Sequence, residues 1–368
     1  PPGRGWYDSP DRFDVVGLVE PLSYSTVDAE EYVDVGAYLD ATKLQREHHP
    51  YLLDLMRTTT PDSPPPGETT LRGVPLAVSV KSLVWYPAAA FAEAGYAIPG
   101  TWGELVTLAA TMVEDGQTPW CVAEGGLSPG GPATDFVEDL VLRNAGVDVY
   151  DRWVAGSLPF TSASIRRAFE RYGDALLKPG HVHGGIDGAI GAEMSEGMRW
   201  LVSDEPICWL HHQASYALSY LSPSEMHPET IGYFLTPVAA PLDSDALLGS
   251  AVFVAAHSDR PEVRELIRFL AGPDYGLTLA RSDASGFIVA NRAFDQGYGP
   301  SDPRTSLAAL AHGALDEGAF RLDASVAMGV ESEFRAAMIG YLEDGSDALP
   351  AILAGLDTTV AHRFEHSE

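Results

Sequence analysis

Apolar positions along this chain switch between helical and strand spacings, and the alternation predicts an α/β fold. Phe13 to Val19 (FDVVGLV) is an apolar run closed by Glu20-Pro21, and it predicts a buried strand. Gly73 to Val80 (GVPLAVSV) predicts a second strand, running on through Lys81 to Tyr86. Between them, residues 59–70 (TTPDSPPPGETT) hold four prolines and a glycine, which predicts a surface loop. Pro87 suits a first helical position, and Ala88 to Ala94 predicts a short helix stopped by Gly95. Thr101-Trp-Gly-Glu104 has capping-box spacing: the threonine hydroxyl accepts a first-turn N–H while the glutamate reaches back. Leu105, Leu108, Ala109 and Met112 then share one face, and Gly116 ends the helix. Trp120 to Ala123 predicts a short strand, Gly125 to Gly131 a glycine-rich loop, and 134–145 a helix. Further helices are predicted over 162–177, 191–202, 261–271, 304–315 and 331–342, and strands over 207–210, 231–236 and 249–256. No internal repeat or low-complexity linker separates two blocks. A chain that crosses more than once between two α/β lobes would read this way.

Composition narrows the function classes. The 368 residues carry 52 acidic and 23 basic side chains, a formal charge of −29. That charge repels phosphate backbones and anionic headgroups, which argues against nucleic-acid or membrane-surface binding. The apolar fraction of 45% is that of a folded globular protein. No apolar run approaches the roughly 18 residues of a membrane-spanning helix. The chain begins at Pro1 without a charged-then-apolar leader, so the expectation is a processed chain or a piece of a longer one. Cys121 and Cys208 are the two cysteines, and composition alone leaves a disulfide and two buried thiols both open.

Several motifs invite chemistry and fall short of it. Gly126-Leu-Ser128-Pro-Gly130 matches the G-x-S-x-G elbow of serine hydrolases. Its helix begins too late for a tight elbow, however, and Pro129 removes the N–H an oxyanion hole needs, so it reads as a loop. Histidine pairs at His48-His49, His181/His183 and His211-His212 lack the three- or four-residue spacing that puts ligands on one helix face, and no H-E-x-x-H is present. Neither a phosphate-binding loop nor a dinucleotide fingerprint occurs. No catalytic residue, metal site or cofactor is assigned. What remains is aromatic and amide-rich punctuation at strand ends: Trp85-Tyr86, Trp120, Trp209, and Phe287 beside Asn291, with His211, His212 and Gln213 as a polar cluster. Aromatic faces with a few directed polar groups suit carbohydrates; each ring taken singly also suits a core.

At the level of motifs, Lys81-Ser-Leu-Val-Trp-Tyr-Pro87, Phe91-Ala-Glu-Ala-Gly95 and Thr101-Trp-Gly-Glu-Leu105 resemble the family 1 extracellular solute-binding proteins of sugar ABC importers. Pro119-Trp-Cys121, Pro132-Ala-Thr-Asp135 with Glu138-Asp139, Val149-Tyr-Asp-Arg-Trp153, Cys208-Trp-Leu-His-His-Gln-Ala-Ser215, Ser258-Asp-Arg-Pro-Glu-Val263 and Gly286-Phe-Ile-Val-Ala-Asn291 narrow the resemblance to the α-glucoside-binding branch. It runs from about Asp14 to about Val360.

The resemblance implies a two-lobed periplasmic-binding-protein-like fold of type II, with a hinge of crossing strands and a ligand in the interlobe cleft. It divides the chain into an N-terminal lobe of 1–80 plus 240–285 and a C-terminal lobe of 81–239 plus 286–368. It implies a Cys121–Cys208 disulfide and an extracellular or periplasmic location, as an anchored lipoprotein or a secreted protein. Partners would be a sugar-like small molecule and the permease subunits of an ABC importer. Ligand-binding candidates are Trp85, Tyr86, Glu124, Asp135, Trp209, His211, His212, Gln213, Phe287 and Arg335.

Departures from the family pattern matter. Relatives begin with a further strand–helix–strand unit, so the N-terminal lobe is expected to be incomplete, its open edge covered by another segment or chain. Gly131 and Arg335 stand where relatives often carry tryptophan, and Val252 where an aspartate is common. Arg335 suits an anionic ligand through bidentate pairing. The same departures fit a sensor or scaffold module of a larger, cytoplasmic protein whose ligand site is altered or lost.

Overall fold

The computed structural model of the chain describes residues 13–19, 21–22, 29–58, 69–239, 245–281, 286–294, 298–299 and 302–365. Ten strands are described: β1 Val15–Leu18, β2 Arg57–Thr58, β3 Thr70–Leu71, β4 Gly73–Val80, β5 Leu83–Pro87, β6 His211–His212, β7 Ile231–Leu235, β8 Leu247–Ala256, β9 Ile288–Val289 and β10 Phe320–Leu322. The larger sheet has the order β1-β8-β4-β9, with β10 also on β8. The long β8 is shared along one edge: Leu247 to Gly249 pair in parallel with β10, and Phe253 to Ala256 pair antiparallel with β1. Its other edge carries β4, whose eight residues are all buried, as expected of a central strand covered on both faces. Pro75 sits at a register irregularity in β4, a place that tolerates a residue with no N–H to donate. A smaller sheet has the order β6-β5-β7.

Two hydrophobic cores form around these sheets. The first gathers Val35, Leu52 and Met56, β4 residues Val74, Val78 and Val80, Phe253 and Val254 of β8, and then Ile267, Ile288, Leu307 and Phe320. The second gathers Leu105 and Met112, Phe136 and Leu140, an aromatic nest of Tyr150, Trp153, Phe160, Phe169 and Phe334, and Leu353 and Leu356 near the end of the chain. Close approach within the first core fixes Gly249, where a Cβ would run into the Phe320 ring and the Ser79 carbonyl.

The elements largely follow the hydrophobic pattern, and the differences have causes. The capping box forms: Glu104 N–H donates to Thr101 Oγ1 at 3.2 Å, and Glu104 Oε2 accepts from Thr101 N–H at 3.1 Å. The helix it starts, Trp102–Glu114, ends before Gly116, which has φ +78°. The strand expected to run from Gly73 to Tyr86 breaks at Lys81-Ser82, where the chain passes from the larger sheet to the smaller one. Pro87 ends β5 and caps the next helix instead of opening it. Trp120 makes only isolated bridges, to Val182 and Leu210. The helix expected at 134–145 begins earlier, as Gly131–Ala145, because Gly130 in the left-handed region serves as its N-cap. The strand expected over 207–210 is replaced by His211–His212, and helices Ala41–Glu47, Pro50–Asp54, Val147–Val154, Gly185–Gly191, Pro273–Arg281, Ala324–Ala327 and Leu349–Glu365 lie outside the predicted ones. The proline-rich loop of 59–70 lies outside the described residues up to Glu68. Among the described residues, no helix is long and apolar enough to cross a membrane.

Cys121 and Cys208 form a disulfide, Cα atoms 5.3 Å apart and 87 residues apart in sequence. Closing a loop of that length removes chain entropy from the unfolded state, worth on the order of 4 kcal/mol in the chain-entropy account. Reduction, or paired Cys121→Ser and Cys208→Ser, is therefore expected to lower the midpoint of thermal unfolding by several degrees. An unchanged midpoint with confirmed thiol release contradicts this.

Candidate functional site

One face of the Gly131–Ala145 helix is polar where a buried helix ordinarily presents apolar side chains. Asp135, Glu138, Asp139 and Arg143 fall at i, i+3, i+4 and i+8, so all four project to one side, and all are buried. Each meets a place where the chain enters or leaves the larger sheet. At the β4–β5 break, Lys81 Nζ lies 2.7 Å from Asp135 Oδ1 and 2.8 Å from Asp323 Oδ1. The neighbouring Ser82 hydroxyl donates to Asp139 and accepts from Leu248 N–H at 2.8 Å. Arg143 donates through Nε to the Thr236 carbonyl at 2.7 Å and through Nη1 to the Ala246 carbonyl at 2.8 Å, holding both described ends of the β7–β8 connection. Glu138 accepts from Ala324 N–H at 2.7 Å and Ser325 N–H at 3.1 Å, just beyond β10.

Electrostatics follow from burial. Burial alone pulls the Lys81 ammonium down, but Asp135 and Asp323 outweigh it and hold the group well above its usual range. Burial lifts Asp135 to about 6 against the pull of Lys81, so the pair is ionised at neutral pH. Tyr216 stands beside them; burial and then Asp135 push its phenol up. The half-buried surface around this cluster is aromatic, with one methionine sulfur. The Tyr216 and Phe287 rings lie 6.0 Å apart, and the Tyr216 and Tyr220 hydroxyls approach Met194 Sδ at 3.8 and 3.5 Å.

The residues singled out in the sequence divide into three groups. Asp135 and Phe287 sit at this seam. Arg335 pairs with Glu331 beside Gly131 and borders a polar concavity of about 700 Å³ with Ser332, Thr358 and Arg363. The others face inward. Trp85 is fully buried and donates from Nε1 to the Gln213 carbonyl at 2.8 Å. Trp209 is buried and donates to Gln117 Oε1 at 3.1 Å. Tyr86 packs between Phe91 and Phe234, with centroids at 4.7 and 5.9 Å. Gln213 Oε1 accepts from Ala214 N–H at 2.8 Å. His211 Nδ1 meets the Cys121 carbonyl at 2.7 Å, while His212 stacks on Phe136 and sets Nε2 3.2 Å from Asp139. Glu124 accepts from Ala133 N–H at 3.0 Å, in the first turn of the polar-faced helix. Sequence reasoning missed Lys81, Tyr216, Tyr220, Met194 and Asp323. The rarity of lysine was a usable signal: Lys81 is one of three, with Lys43 and Lys178.

Comparison with known proteins now decides the family. A family model described as bacterial extracellular solute-binding protein matches residues 25–276, more than half of the chain. The chain belongs to that family. This solute-binding protein is 37% identical over 213 residues to the alpha-glucosides-binding periplasmic protein AglE of Rhizobium meliloti, covering 56% of this chain and 46% of that protein. It is 35% identical over 204 residues to the osmoprotective compounds-binding protein GgtB of Synechocystis, covering 55% and 48%. The match spans about half the length of these relatives. Among solved structures, the bacterial solute receptor AcbH superposes with a TM-score of 0.76 at 13% identity, covering 96% of this chain and 84% of that one. A chitin oligosaccharide binding protein gives 0.75 at 18%, with the same coverages. These likenesses establish the two-lobed α/β fold of the periplasmic binding proteins.

Two outcomes follow from the buried charges. Lys81→Met leaves Asp135 and Asp323 without their cation and is expected to cost about 3–5 kcal/mol of stability, part of it recovered by adding Asp135→Asn. Equal losses in the single and double variants, by chemical denaturation, would contradict the pairing. Separately, burial raises Glu124 from an ordinary 4.5 to about 8, with the Ala133 N–H opposing. The folded state thus binds this proton more tightly than the unfolded one. Its contribution is fully present below pH 4.5 and is lost as pH rises through about 8. Glu124→Gln is expected to flatten stability across that window by up to about 1.4 kcal/mol per pH unit; parallel curves for both proteins would refute it.

Proposed function

We propose that this solute-binding protein captures a small polar solute, most simply a sugar or short oligosaccharide, between its two cores, and delivers it to the permease of an ABC importer without chemically altering it. Each core is taken as one lobe, and the crossings at Lys81-Ser82, between Thr236 and Ala246, and at Leu322-Asp323 form the hinge. The observation that carries the reading is the Lys81–Asp135–Asp323 cluster at that hinge, flanked by the half-buried Tyr216, Tyr220 and Phe287. Such a seam combines charged and hydroxyl groups for sugar hydroxyls with ring faces for their C–H surfaces. Arg335, at the rim near Gly131, adds a donor that favours ligands bearing an anionic group. The names of the relatives support a sugar: α-glucosides for AglE, β-D-galactopyranose for AcbH, chitin oligosaccharide and raffinose for other structural neighbours.

The protein works outside the cytoplasmic membrane, as a lipoprotein or secreted receptor. The outer edge of β1, which among the described residues pairs only with β8, is covered there by another segment or chain.

Titration of intrinsic fluorescence with glucosides, galactose, raffinose, chitin oligosaccharides and phosphorylated sugars tests the reading. A saturable change with at least one of them is expected, and Phe287→Ala should weaken it about tenfold, the scale of one aromatic contact. A flat response across the whole panel overturns the transport reading and favours the sensor or scaffold module.

A further inference from the structure

Behind the seam, Trp120, Glu124, Phe136, Tyr172, His211 and His212 help to line a void of about 10 Å³. Its polar residues are almost wholly buried: Trp120, Tyr172 and His211 each at 1%, Glu124 at 2%, His212 at 7%. Four of their polar atoms have no hydrogen-bond partner among the described residues: Trp120 Nε1, Tyr172 OH, His211 Nε2 and His212 Nδ1. Buried donors and acceptors are rarely left unpaired in native proteins, so four on residues that line one void point to a shared ligand.

The protons specify that ligand. A carbonyl only accepts, so His211 Nδ1 carries hydrogen toward Cys121 and its Nε2 is a bare lone pair. The Asp139 carboxylate accepts from His212 Nε2–H, which in the neutral ring leaves Nδ1 as a second lone pair. Trp120 Nε1–H can only donate, and the Tyr172 hydroxyl has a proton to give. The residues lining the void therefore offer two acceptors and two donors. A cation would offer Trp120 nothing to donate to, and any organic solute exceeds a volume that admits about one water-sized sphere.

We propose that this void is a built site for a single water molecule, which donates to His211 Nε2 and His212 Nδ1 and accepts from Trp120 Nε1–H and Tyr172 O–H. The water joins Trp120, next to Cys121, to β6 through His211 and His212 and to the Ala163–Leu176 helix through Tyr172. It also prolongs the hinge network inward, because the other nitrogen of His212 meets Asp139, which already holds Ser82. The titratable groups facing it are Glu124, Tyr172, His211 and His212, with Asp139 one bond away.

Nuclear magnetic resonance on the full chain tests this. The Trp120 indole proton is assigned by its loss in Trp120→Phe. In the unsubstituted protein it should show a dipolar cross-peak to a long-lived bound water and slow exchange with solvent. Tyr172→Phe keeps the ring and removes one of the four bonds. It should shift the indole resonance and shorten the lifetime of the water, or abolish the cross-peak. A high-resolution crystal structure should place one isolated solvent peak within hydrogen-bond distance of all four atoms. Absence of the cross-peak in the unsubstituted protein, or a crystal structure in which Tyr172 or Trp120 donates directly to a histidine ring with no solvent between, overturns the proposal.

Discussion

The polar stripe of Asp135, Glu138, Asp139 and Arg143 occupies the face on which a buried helix ordinarily carries leucine and valine, and everything between the two cores is arranged around it. Taking charges out of water is costly unless each finds a partner. Here the partners come from three separate stretches of chain: Lys81 and Ser82, the Thr236 and Ala246 carbonyls, and the Ala324 and Ser325 amides beyond β10. A hydrophobic stripe would have tolerated many sliding arrangements of those stretches. Hydrogen bonds and ion pairs at 2.7–2.8 Å tolerate few. The stripe thus fixes register where the connections are otherwise thin, and it does so from one rigid element that belongs to the second core.

That arrangement explains why the seam is both charged and half-open. Side chains able to reach the crossings must lie near the boundary between the cores, so Lys81, Asp135 and Asp323 keep a little exposure while Glu138 and Asp139 have none. Aromatic rings from neither crossing, Tyr216 and Phe287, complete the surface. Gly286 lets them meet, because a Cβ there would strike the Ser215 carbonyl and the Tyr216 backbone.

Much of the fold was legible in the sequence because it is written in local signals. The Thr101–Glu104 capping box, the uniformly apolar β4 and the periodic helices each need only neighbouring residues to be recognised. Two of the helices that escaped did so for the opposite reason. Pro273–Arg281 follows directly on another helix, and Leu349–Glu365 carries a diffuse pattern with weak polar contrast. The site was less legible. Polar residues at strand ends read as ligand-facing, yet His211, His212 and Glu124 turn into the second core, where each has one partner the strand pattern does not reveal: the Cys121 carbonyl, the Asp139 carboxylate and the Ala133 N–H. Lys81 escapes notice because the apolar runs on both sides read as one continuous strand through it. Only the third dimension brings Asp135 and Asp323 to it.

The order of pairing in the larger sheet bears on how the protein is made. Val15 in β1 finds its partner at Ala256, so 256 − 15 = 241 residues separate the two. At synthesis rates of about 5–20 residues per second, β1 waits roughly 12–48 s on the ribosome before β8 exists to receive it. β10, the other strand on that edge of β8, emerges later still. The first core therefore cannot close domain by domain from the N-terminus. During that interval a chain carrying FDVVGLV and GVPLAVSV stays open and sticky. Such a chain suits handling by chaperones in an extended state, the same state in which a polypeptide is threaded through a narrow export channel.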